Sequence, residues 1–297
     1  MFYFKLRNFV EFKKLDWYYL SENPNAIYLL KAYKKKIYWD QLSKNENAIE
    51  ILKDNPDKIY WYYLSENPNA YDIIKDNLDK IYWDRLCLNT NPKVIKILEA
   101  NLKKIDWYLL SLNPKAIHIL EKNLNKINWI QLSLNPNAIH ILKNNQDKIN
   151  WYMLSSNPNA IEILKANPEK IDWCYLSGNP NAIELLKDNL DKIDWEYLSM
   201  NVNAIEIIEK NLNKISSYIL STNPNAIKIL QANPNKIEWD SLSLNPSIFR
   251  YDYELIKNNN KELNEEIVIK ALHPKRMLRL MELYGEDEIY KYYFDEQ

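Results

Sequence analysis

The apolar positions of the chain repeat every 22 residues and follow two helical patterns in each period. In the copy from Lys148 to Asn167, Ala160, Ile161 and Leu164 recur at helical spacing, and Glu162 lies on the opposite face. A second pattern places a leucine three residues after a tryptophan, so that both share one face and are expected to be buried. Each period therefore predicts two short antiparallel helices, roughly ten and six residues long.

Polar residues mark where these helices begin and end. Asn157 and Pro158 suit the N-cap and first position of the longer helix, and Asn167 suits its end, where asparagine tolerates the left-handed conformation. The shorter helix is preceded by a good N-cap residue in seven copies: Asp16, Asp106, Asn128, Asn150, Asp172, Asp194 and Ser216.

Eleven copies of the unit follow one another, and we number them repeats 1 to 11. Ten contain all the tryptophans of the chain: Trp17, Trp39, Trp61, Trp83, Trp107, Trp129, Trp151, Trp173, Trp195 and Trp239. Repeat 10 has Ser217 instead, which predicts a weak joint between the ninth and tenth repeats. The spacing from Trp83 to Trp107 is 24, and we place the two extra residues within 87–90.

A period of this length predicts an all-α fold, an α-solenoid of about eleven 22-residue helix-turn-helix repeats. The expected organisation is an N-terminal cap at 1–14, the repeats at 15–246 and a C-terminal helical cap at 247–297, with a helix between Pro274 and Gly285. The alternative architecture is a leucine-rich repeat, because residues 129–135 resemble the motif of that class. Polar residues such as Glu22 at a strand position, and proline after the asparagine, count against them.

Composition and motifs narrow the class of function. The formal net charge of −1 gives no global sign of a nucleic-acid binder, and the two cysteines, Cys87 and Cys174, favour a reducing compartment. The longest apolar runs are too short to span a membrane. No phosphate-binding, zinc-protease or CxxC motif occurs, so we expect no enzyme, cofactor or metal site. His118 and His140 occupy equivalent outer positions of adjacent repeats, but no third ligand aligns with them.

A lysine stands three residues before the tryptophan position in every copy: Lys14, Lys36, Lys58, Lys80, Lys104, Lys126, Lys148, Lys170, Lys192, Lys214 and Lys236. One interpretation is a row of cations that follows a polyanion, for which Lys58, Lys80, Lys104, Lys126, Lys148, Lys170 and Lys192 are the candidates. The other is structural, because a cation suits a helix C-terminus and its stem packs well on a tryptophan ring. An asparagine six residues after each tryptophan, shifted to Asn91 in repeat 4, is explained by capping and an inter-repeat hydrogen-bond ladder.

The repeats differ most in the two residues after the tryptophan, which are aromatic, charged or amide side chains. Tyrosine is enriched at protein interfaces, so a stripe of these residues is the candidate partner surface. We expect partner contacts from Tyr19, Tyr63, Arg85, Gln131, Tyr175 and Tyr197. The alternative is that about half of these side chains simply pack between helices.

Three functions are compatible with this pattern. The first is a non-enzymatic repeat scaffold that binds a protein or peptide along one face. The second is a helical-repeat nucleic-acid binder that uses the lysines, and its affinity would fall with salt. The third, which depends on the resemblance described next, is a structural component of a virus particle. The oligomeric state is left open.

The repeated unit L-S-x-N-P-N-A-I-x-I-L-K-x-N-x-x-K-I-x-W, seen at 154–173 and 176–195, resembles the tandem repeats of giant DNA viruses of amoebae, the mimivirus relatives. The similarity covers roughly 14–247, and 271–285 resembles segments of such proteins as well. The resemblance implies a viral protein made in the cytoplasm of an infected eukaryotic cell. It implies no activity, so no functional residue is carried over from it.

Overall fold

The computed structural model describes residues 4–259 and 272–285. The repeats, within residues 6–250, form one compact unit, and residues 4–5 belong with the segment after 250 in a second unit. Residues 1–3 of the expected N-terminal cap and 260–271 and 286–297 of the expected C-terminal cap lie outside the described residues. Within the described residues, no helix is long and apolar enough to cross a membrane.

The repeats consist of a first helix, which begins at the tryptophan position, and a second helix, which follows the Asn-Pro turn. The eleven first helices are Trp17–Glu22, Trp39–Lys44, Trp61–Leu64, Trp83–Leu86, Trp107–Leu110, Trp129–Leu134, Trp151–Ser156, Trp173–Ser177, Trp195–Met200, Ser217–Thr222 and Trp239–Leu244. The ten second helices are Ile27–Ala32, Ile49–Lys53, Tyr71–Ile74, Pro92–Glu99, Ile117–Glu121, Ile139–Lys143, Ile161–Lys165, Ile183–Lys187, Ile205–Lys210 and Ile227–Ala232. A short 3-10 turn leads from most second helices to the next repeat, as in Pro168–Lys170. The predicted all-α repeat solenoid is therefore confirmed.

The core lies between the two helices of each repeat. Leu154 of the first helix and Leu164 of the second are fully buried, as are their equivalents in most repeats. The tryptophans are only half-buried, which corrects the expectation that they are buried to the same degree as the leucines. The leucine and isoleucine side chains, rather than the indole rings, thus fill the centre of the core.

The repeat array closes on itself. Asp16 in repeat 1 donates its N–H to Ser243 Oγ of repeat 11 at 2.8 Å, in the same way that Asp172 donates to Ser155 and most other neighbouring repeats are joined. Asn23 Nδ2 donates to the carbonyl oxygens of Ser243 and Asn245 at 2.9 and 3.1 Å. The first helices of repeats 1 and 11 also pack with Cα atoms within 8 Å. Residues 6–250 therefore form a closed ring of eleven repeats, and its two ends cover each other.

Two rows of polar side chains join each repeat to the previous one. The asparagine six residues after the tryptophan position donates its amide to two backbone carbonyls of the preceding repeat, as Asn157 does to Ser133 and Asn135 at 2.9 Å. The serine four residues after that position accepts from a backbone N–H of the next repeat, as Ser155 does from Asp172 at 3.0 Å. The asparagine row runs through Asn23, Asn45, Asn67, Asn89, Asn113, Asn135, Asn157, Asn179, Asn201, Asn223 and Asn245.

The predicted N-caps of the first helices are confirmed, but both ends of the second helix differ from the prediction. Asp172 Oδ1, for example, accepts from the N–H of Tyr175 at 2.9 Å. The Asn-Pro pair forms a turn in which Asn157 Oδ1 accepts from the N–H of Asn159, and the second helix begins only at Ile161. Its end is not left-handed either, because Asn167 has a φ of −138° and instead donates its amide to the carbonyl of Ile163. The side chain of this asparagine therefore caps the helix.

The two extra residues of repeat 4 enter its second helix rather than 87–90. Asn89, not Asn91, occupies the asparagine row, where it donates to the carbonyls of Ser65 and Asn67. Asn91 instead caps the helix Pro92–Glu99, which is eight residues long. The asparagine row therefore runs past the insertion without a break, whereas Cys87 stands in place of the serine of the other row.

Two short strands and two helices complete the described chain. Strands Phe4–Leu6 and Phe249–Tyr251 pair in a two-stranded sheet. Helix Tyr253–Asn259 follows, and helix Pro274–Tyr284 begins and ends as the sequence predicts, with Gly285 at a φ of 91°. Within this second unit, Lys5 pairs with Asp252 at 3.0 Å and Phe4 stacks on Tyr251.

Candidate functional site: the inner wall of the ring

Each first helix has a second face that points away from the core. Helical geometry places the tryptophan position and the residues three and four after it on one side, and the residues one, two and five after it on the other. The first set includes the buried leucine and serine, as at Leu154 and Ser155. The second set is accessible to different degrees, from exposed Tyr152 through half-buried Met153 to buried Gln131. We call the second set, over all eleven repeats, the inner wall.

The first helices form the inner layer of the ring. Most neighbouring first helices pack with several Cα atoms within 8 Å, whereas no pair of neighbouring second helices within residues 6–250 packs as closely, as the longer outer circumference of a ring requires. The side chains also converge, because the hydroxyl of Tyr19 in repeat 1 interacts with that of Tyr218 in repeat 10 across the whole width of repeat 11. Side chains two repeats apart meet in this way only on a concave surface, so the inner wall faces the lumen.

The lumen has room for a polypeptide. Packed helices lie about 8–10 Å apart and are about 10 Å wide with their side chains, so eleven of them enclose a space on the order of 20 Å across. Longer side chains of the wall narrow this space. An extended chain or a single helix fits within it.

All six residues predicted to contact a partner lie on the inner wall. Tyr175 and Tyr197 contact each other with ring centroids 5.4 Å apart, and Tyr63 lies beneath the ammonium group of Lys44. Gln131 is buried and donates to the hydroxyl of Tyr108. The remaining two, Tyr19 and Arg85, lie in repeats 1 and 4 and are described below. The six are spread around the ring, from repeat 1 to repeat 9, and do not form a single compact site.

The residue immediately after the tryptophan position is the more exposed of the two variable residues. Tyr108 and Tyr152 are 51% and 60% exposed, and Tyr218 is 57% exposed. Sequence reasoning favoured the following position, which is half-buried in most repeats. Helical phase does not predict this difference, because the residue two after the tryptophan lies about 150° around the helix from the midpoint of the buried leucine and serine, and the residue one after it only about 110°. Nine tyrosines line the wall: Tyr18, Tyr19, Tyr62, Tyr63, Tyr108, Tyr152, Tyr175, Tyr197 and Tyr218.

The inner wall is acidic. Its carboxylates outnumber its cations by six to two; the carboxylates are Glu22, Asp40, Glu66, Asp84, Glu196 and Asp240, and the cations are Lys44 and Arg85. Both cations lie in repeats 2 and 4, so no lysine or arginine occupies the wall from repeat 5 through repeat 11. The charge of the lumen thus differs from the near-neutral charge of the whole chain.

The two cations of the wall are held in the same way. Lys44 Nζ lies 3.3 Å from the carboxylate of Glu22 and 4.3 Å from the centre of the Tyr63 ring. The guanidinium of Arg85 lies 3.7 Å from the carboxylate of Glu66 and 4.3 Å from the centre of the Tyr62 ring. A carboxylate and a tyrosine ring from neighbouring repeats therefore form the cation-binding unit of this surface.

The lysines three residues before the tryptophan position do not face the lumen. Most of them lie over a tryptophan ring. Lys126 Nζ is 4.8 Å from the centre of the Trp107 ring, and nine lysines have this contact at 4.3–5.3 Å with the ring of the preceding repeat. Lys14 contacts Trp239 in the same way across the closure. Of the seven polyanion candidates, only Lys58 lacks the contact, and it pairs with Asp57 at 3.3 Å. These contacts support the structural interpretation of the lysine row.

The two outer histidines each contact a glutamate of the preceding repeat instead of facing each other. His118 Nε2 lies 3.5 Å from Glu99, and His140 Nε2 lies 2.7 Å from Glu121, in each case with the preceding repeat. In the part of the chain that the structure describes, no group of three or more potential metal ligands is present.

The cysteines occupy different surroundings. Cys87 takes the place of serine in the serine row, where its Sγ contacts the carbonyl of Trp83 at 3.2 Å, and burial raises its pKa to about 11. Cys174 lies on the inner wall and is half-buried. Burial and then the carboxylates of Asp194 and Asp172 raise the pKa of its thiol. Of the two cysteines, Cys174 is thus the one whose thiol can report on the lumen by chemical labelling.

Comparison of this chain with protein-family models, with curated proteins and with solved structures found no match.

Proposed function

We propose that this protein is a non-enzymatic ring that holds a polypeptide segment of a partner protein in its lumen. The observation that carries the proposal is the continuous concave wall of tyrosines and polar residues, at the positions where nearly identical repeats differ. Tyrosine offers a large contact area and a hydroxyl at low entropic cost, which suits it to binding peptides. The asparagine and serine rows hold the first helices in register, so the wall is rigid before a partner arrives.

The nucleic-acid alternative has less support. Most candidate lysines are already engaged with tryptophan rings, and the lumen itself is acidic and repels phosphate groups. The proposals of a particle component and of an infected-cell location rest on the viral resemblance alone, and their test is the abundance of the chain in purified particles.

A peptide-selection experiment tests the proposed function. A phage-displayed library of random peptides is selected on the intact protein, and binding of the selected peptides is measured by fluorescence anisotropy. We expect the combined change Tyr152→Ala and Tyr218→Ala to weaken binding at least tenfold. The matched control is Leu124→Ala with Leu190→Ala, which removes two apolar side chains of similar exposure from the 3-10 turns.

Alkylation of Cys174 shows where the peptides bind. A peptide in the lumen slows reaction of this thiol with iodoacetamide, whereas a peptide on the outer surface leaves the rate unchanged. Failure to select any peptide, or equal losses in the wall variant and the control variant, would contradict the proposal.

A further inference from the structure

The wall at the closure of the ring has carboxylates but no lysine or arginine of its own. We define the seam wall as the inner-wall residues of repeats 9, 10, 11 and 1 that surround this closure: Glu196, Tyr197, Tyr218, Asp240, Ser241, Tyr18 and Tyr19. Among the described residues, neither Glu196 nor Asp240 has a cationic partner, and both are exposed. In repeats 2 and 4, by contrast, the chain supplies its own lysine and arginine.

The seam wall contains the parts of the cation-binding unit without the cation. Asp240 stands between Tyr19 and Tyr218, and Glu196 directly precedes Tyr197 on the same helix. The hydrogen bond with Tyr218, the charge of that residue, burial and then Asp16 and Asp240 together raise the pKa of Tyr19. Tyr175 and burial raise the pKa of Tyr197. The contributions of Asp16 and Asp240 place both carboxylates near the Tyr19 hydroxyl.

A buried hydroxyl gives an independent sign of a ligand at the same place. Ser241 is 2% exposed, and its Oγ has no hydrogen-bond partner among the described residues. It occupies the wall position next to Asp240, in repeat 11, and Tyr19 and Tyr218 interact across this repeat. Buried hydroxyls in proteins nearly always have a partner, so the unpaired Oγ favours a ligand that moves these tyrosine side chains aside and donates to it.

We propose that the seam wall binds lysine or arginine side chains of a basic polypeptide segment held in the lumen. A guanidinium or ammonium group meets the carboxylate of Asp240, packs on the neighbouring tyrosine rings and donates to Ser241 Oγ, and a second basic side chain of the segment meets the carboxylate of Glu196 two repeats away. The arrangement repeats the one in which Lys44 and Arg85 are held within the chain. This inference rests on the proposed function and specifies the chemistry of the partner.

Fluorescein-labelled homopeptides test the chemistry. Anisotropy titrations of the intact protein use deca-arginine, decalysine, decaglutamate and a neutral ten-residue glycine-serine peptide, with a labelled oligo-dT of ten nucleotides as the nucleic-acid probe. We expect deca-arginine and decalysine to bind and to weaken with added salt. We expect no binding of decaglutamate, the neutral peptide or oligo-dT.

Matched variants locate the site. Glu196→Gln with Asp240→Asn is expected to weaken deca-arginine at least tenfold. Glu162→Gln with Glu184→Gln removes the same charge from exposed positions of second helices and is expected to change affinity less than twofold. Ser241→Ala breaks no hydrogen bond of the protein, so a fall of about threefold in affinity with an unchanged unfolding midpoint reports contact with the ligand.

Equal loss of affinity in the two carboxylate pairs would overturn the inference, because net charge alone would then explain binding. Binding of oligo-dT in preference to the basic peptides would overturn it as well. If selected peptides bind the wall tyrosines but carry no positive charge, the proposed function stands and this inference fails.

Discussion

The asparagine that joins neighbouring repeats is the residue on which the ring depends most. Asn157 donates to two backbone carbonyls that have no access to water, and the equivalent residue does so at all eleven interfaces, including the closure. We expect Asn157→Ala to lower the free energy of unfolding by about 2–4 kcal/mol, because it leaves two buried acceptors unpaired. Urea denaturation followed by circular dichroism measures it.

The control for this change lies in the same turn. Asn159 is exposed and donates to a single carbonyl, that of Pro136, at 2.9 Å. Asn159→Ala is expected to cost about 0.5–1 kcal/mol. A loss at Asn157 no larger than this would show that the asparagine row adds little to stability.

The lysine row makes a second prediction at this scale. Lys126→Met keeps most of the aliphatic stem but removes the charge above Trp107, and we expect it to cost about 0.5–1 kcal/mol at an exposed site. Lys236 is the natural control, because the preceding repeat has Ser217 where others have a ring. Lys236→Met should cost clearly less in the same urea denaturation. Equal costs would mean that the helix terminus, not the ring, accounts for the lysine.

Burial of Cys87 gives stability a dependence on pH. Its pKa is raised from 9.0 to about 11, so its contribution is complete below pH 9 and is lost as the pH rises toward 11. Relative to Cys87→Ser, the wild-type protein should lose about 2 kcal/mol across this interval, since one pKa unit is worth about 1.4 kcal/mol. Urea midpoints of both proteins at pH 8 and at pH 10.5 measure this loss. The same difference between the two proteins at both pH values would contradict a buried thiol with a raised pKa.

At the scale of the helices, the N-caps of the first helices could be predicted from the sequence, whereas the position of the insertion in repeat 4 could not. Asp172 and Ser216 were identified as N-caps because a cap depends only on the side chain and the next three residues. The insertion in repeat 4 was misplaced because Asn89 and Asn91 are both able to fill the asparagine row by spacing alone. Packing between repeats decided in favour of Asn89.

The missing tryptophan offers a test of the helix interface. Ser217 begins the first helix of repeat 10, and Lys236 of the next repeat has no ring beneath it. We expect Ser217→Trp to raise the free energy of unfolding by about 1–2 kcal/mol, because it adds half-buried apolar area and a cation–π contact. A Tm lower than that of the wild type would show that repeat 10 has packed around the smaller residue and has no space for the ring.

At the scale of the whole molecule, closure is the feature that sequence reasoning did not predict. The repeats and their boundaries follow from the 22-residue period, but closure requires the small rotation between neighbours to total one full turn. For eleven repeats this is about 33° each, an angle that depends on how side chains pack between repeats and not on any one residue. The part of the candidate site at the closure could not be predicted from the sequence for the same reason. Tyr19 and Tyr218 are far apart in sequence and meet only across the closure.

Closure also explains why the array needs no separate polar cap at either end of its core. Lys14 lies over the ring of Trp239, and Asn25 donates to the carbonyl of Pro246. The same two contacts join most other pairs of neighbouring repeats. The wall is therefore continuous, and the seam wall exists only because repeats 1 and 11 are neighbours. The proposed cation site accordingly depends on closure.

A pair of distance measurements by double electron–electron resonance tests closure most directly. With both cysteines changed to serine, one protein carries nitroxide labels at positions 50 and 228 and a second carries them at 162 and 228, which are equivalent exposed positions of second helices. In the ring both pairs are three repeats apart, so the two distances should agree within about 5 Å, near 40 Å for helices packed about 10 Å apart. In an open array positions 50 and 228 are eight repeats apart, and a distance for that pair much longer than for the control would contradict the ring.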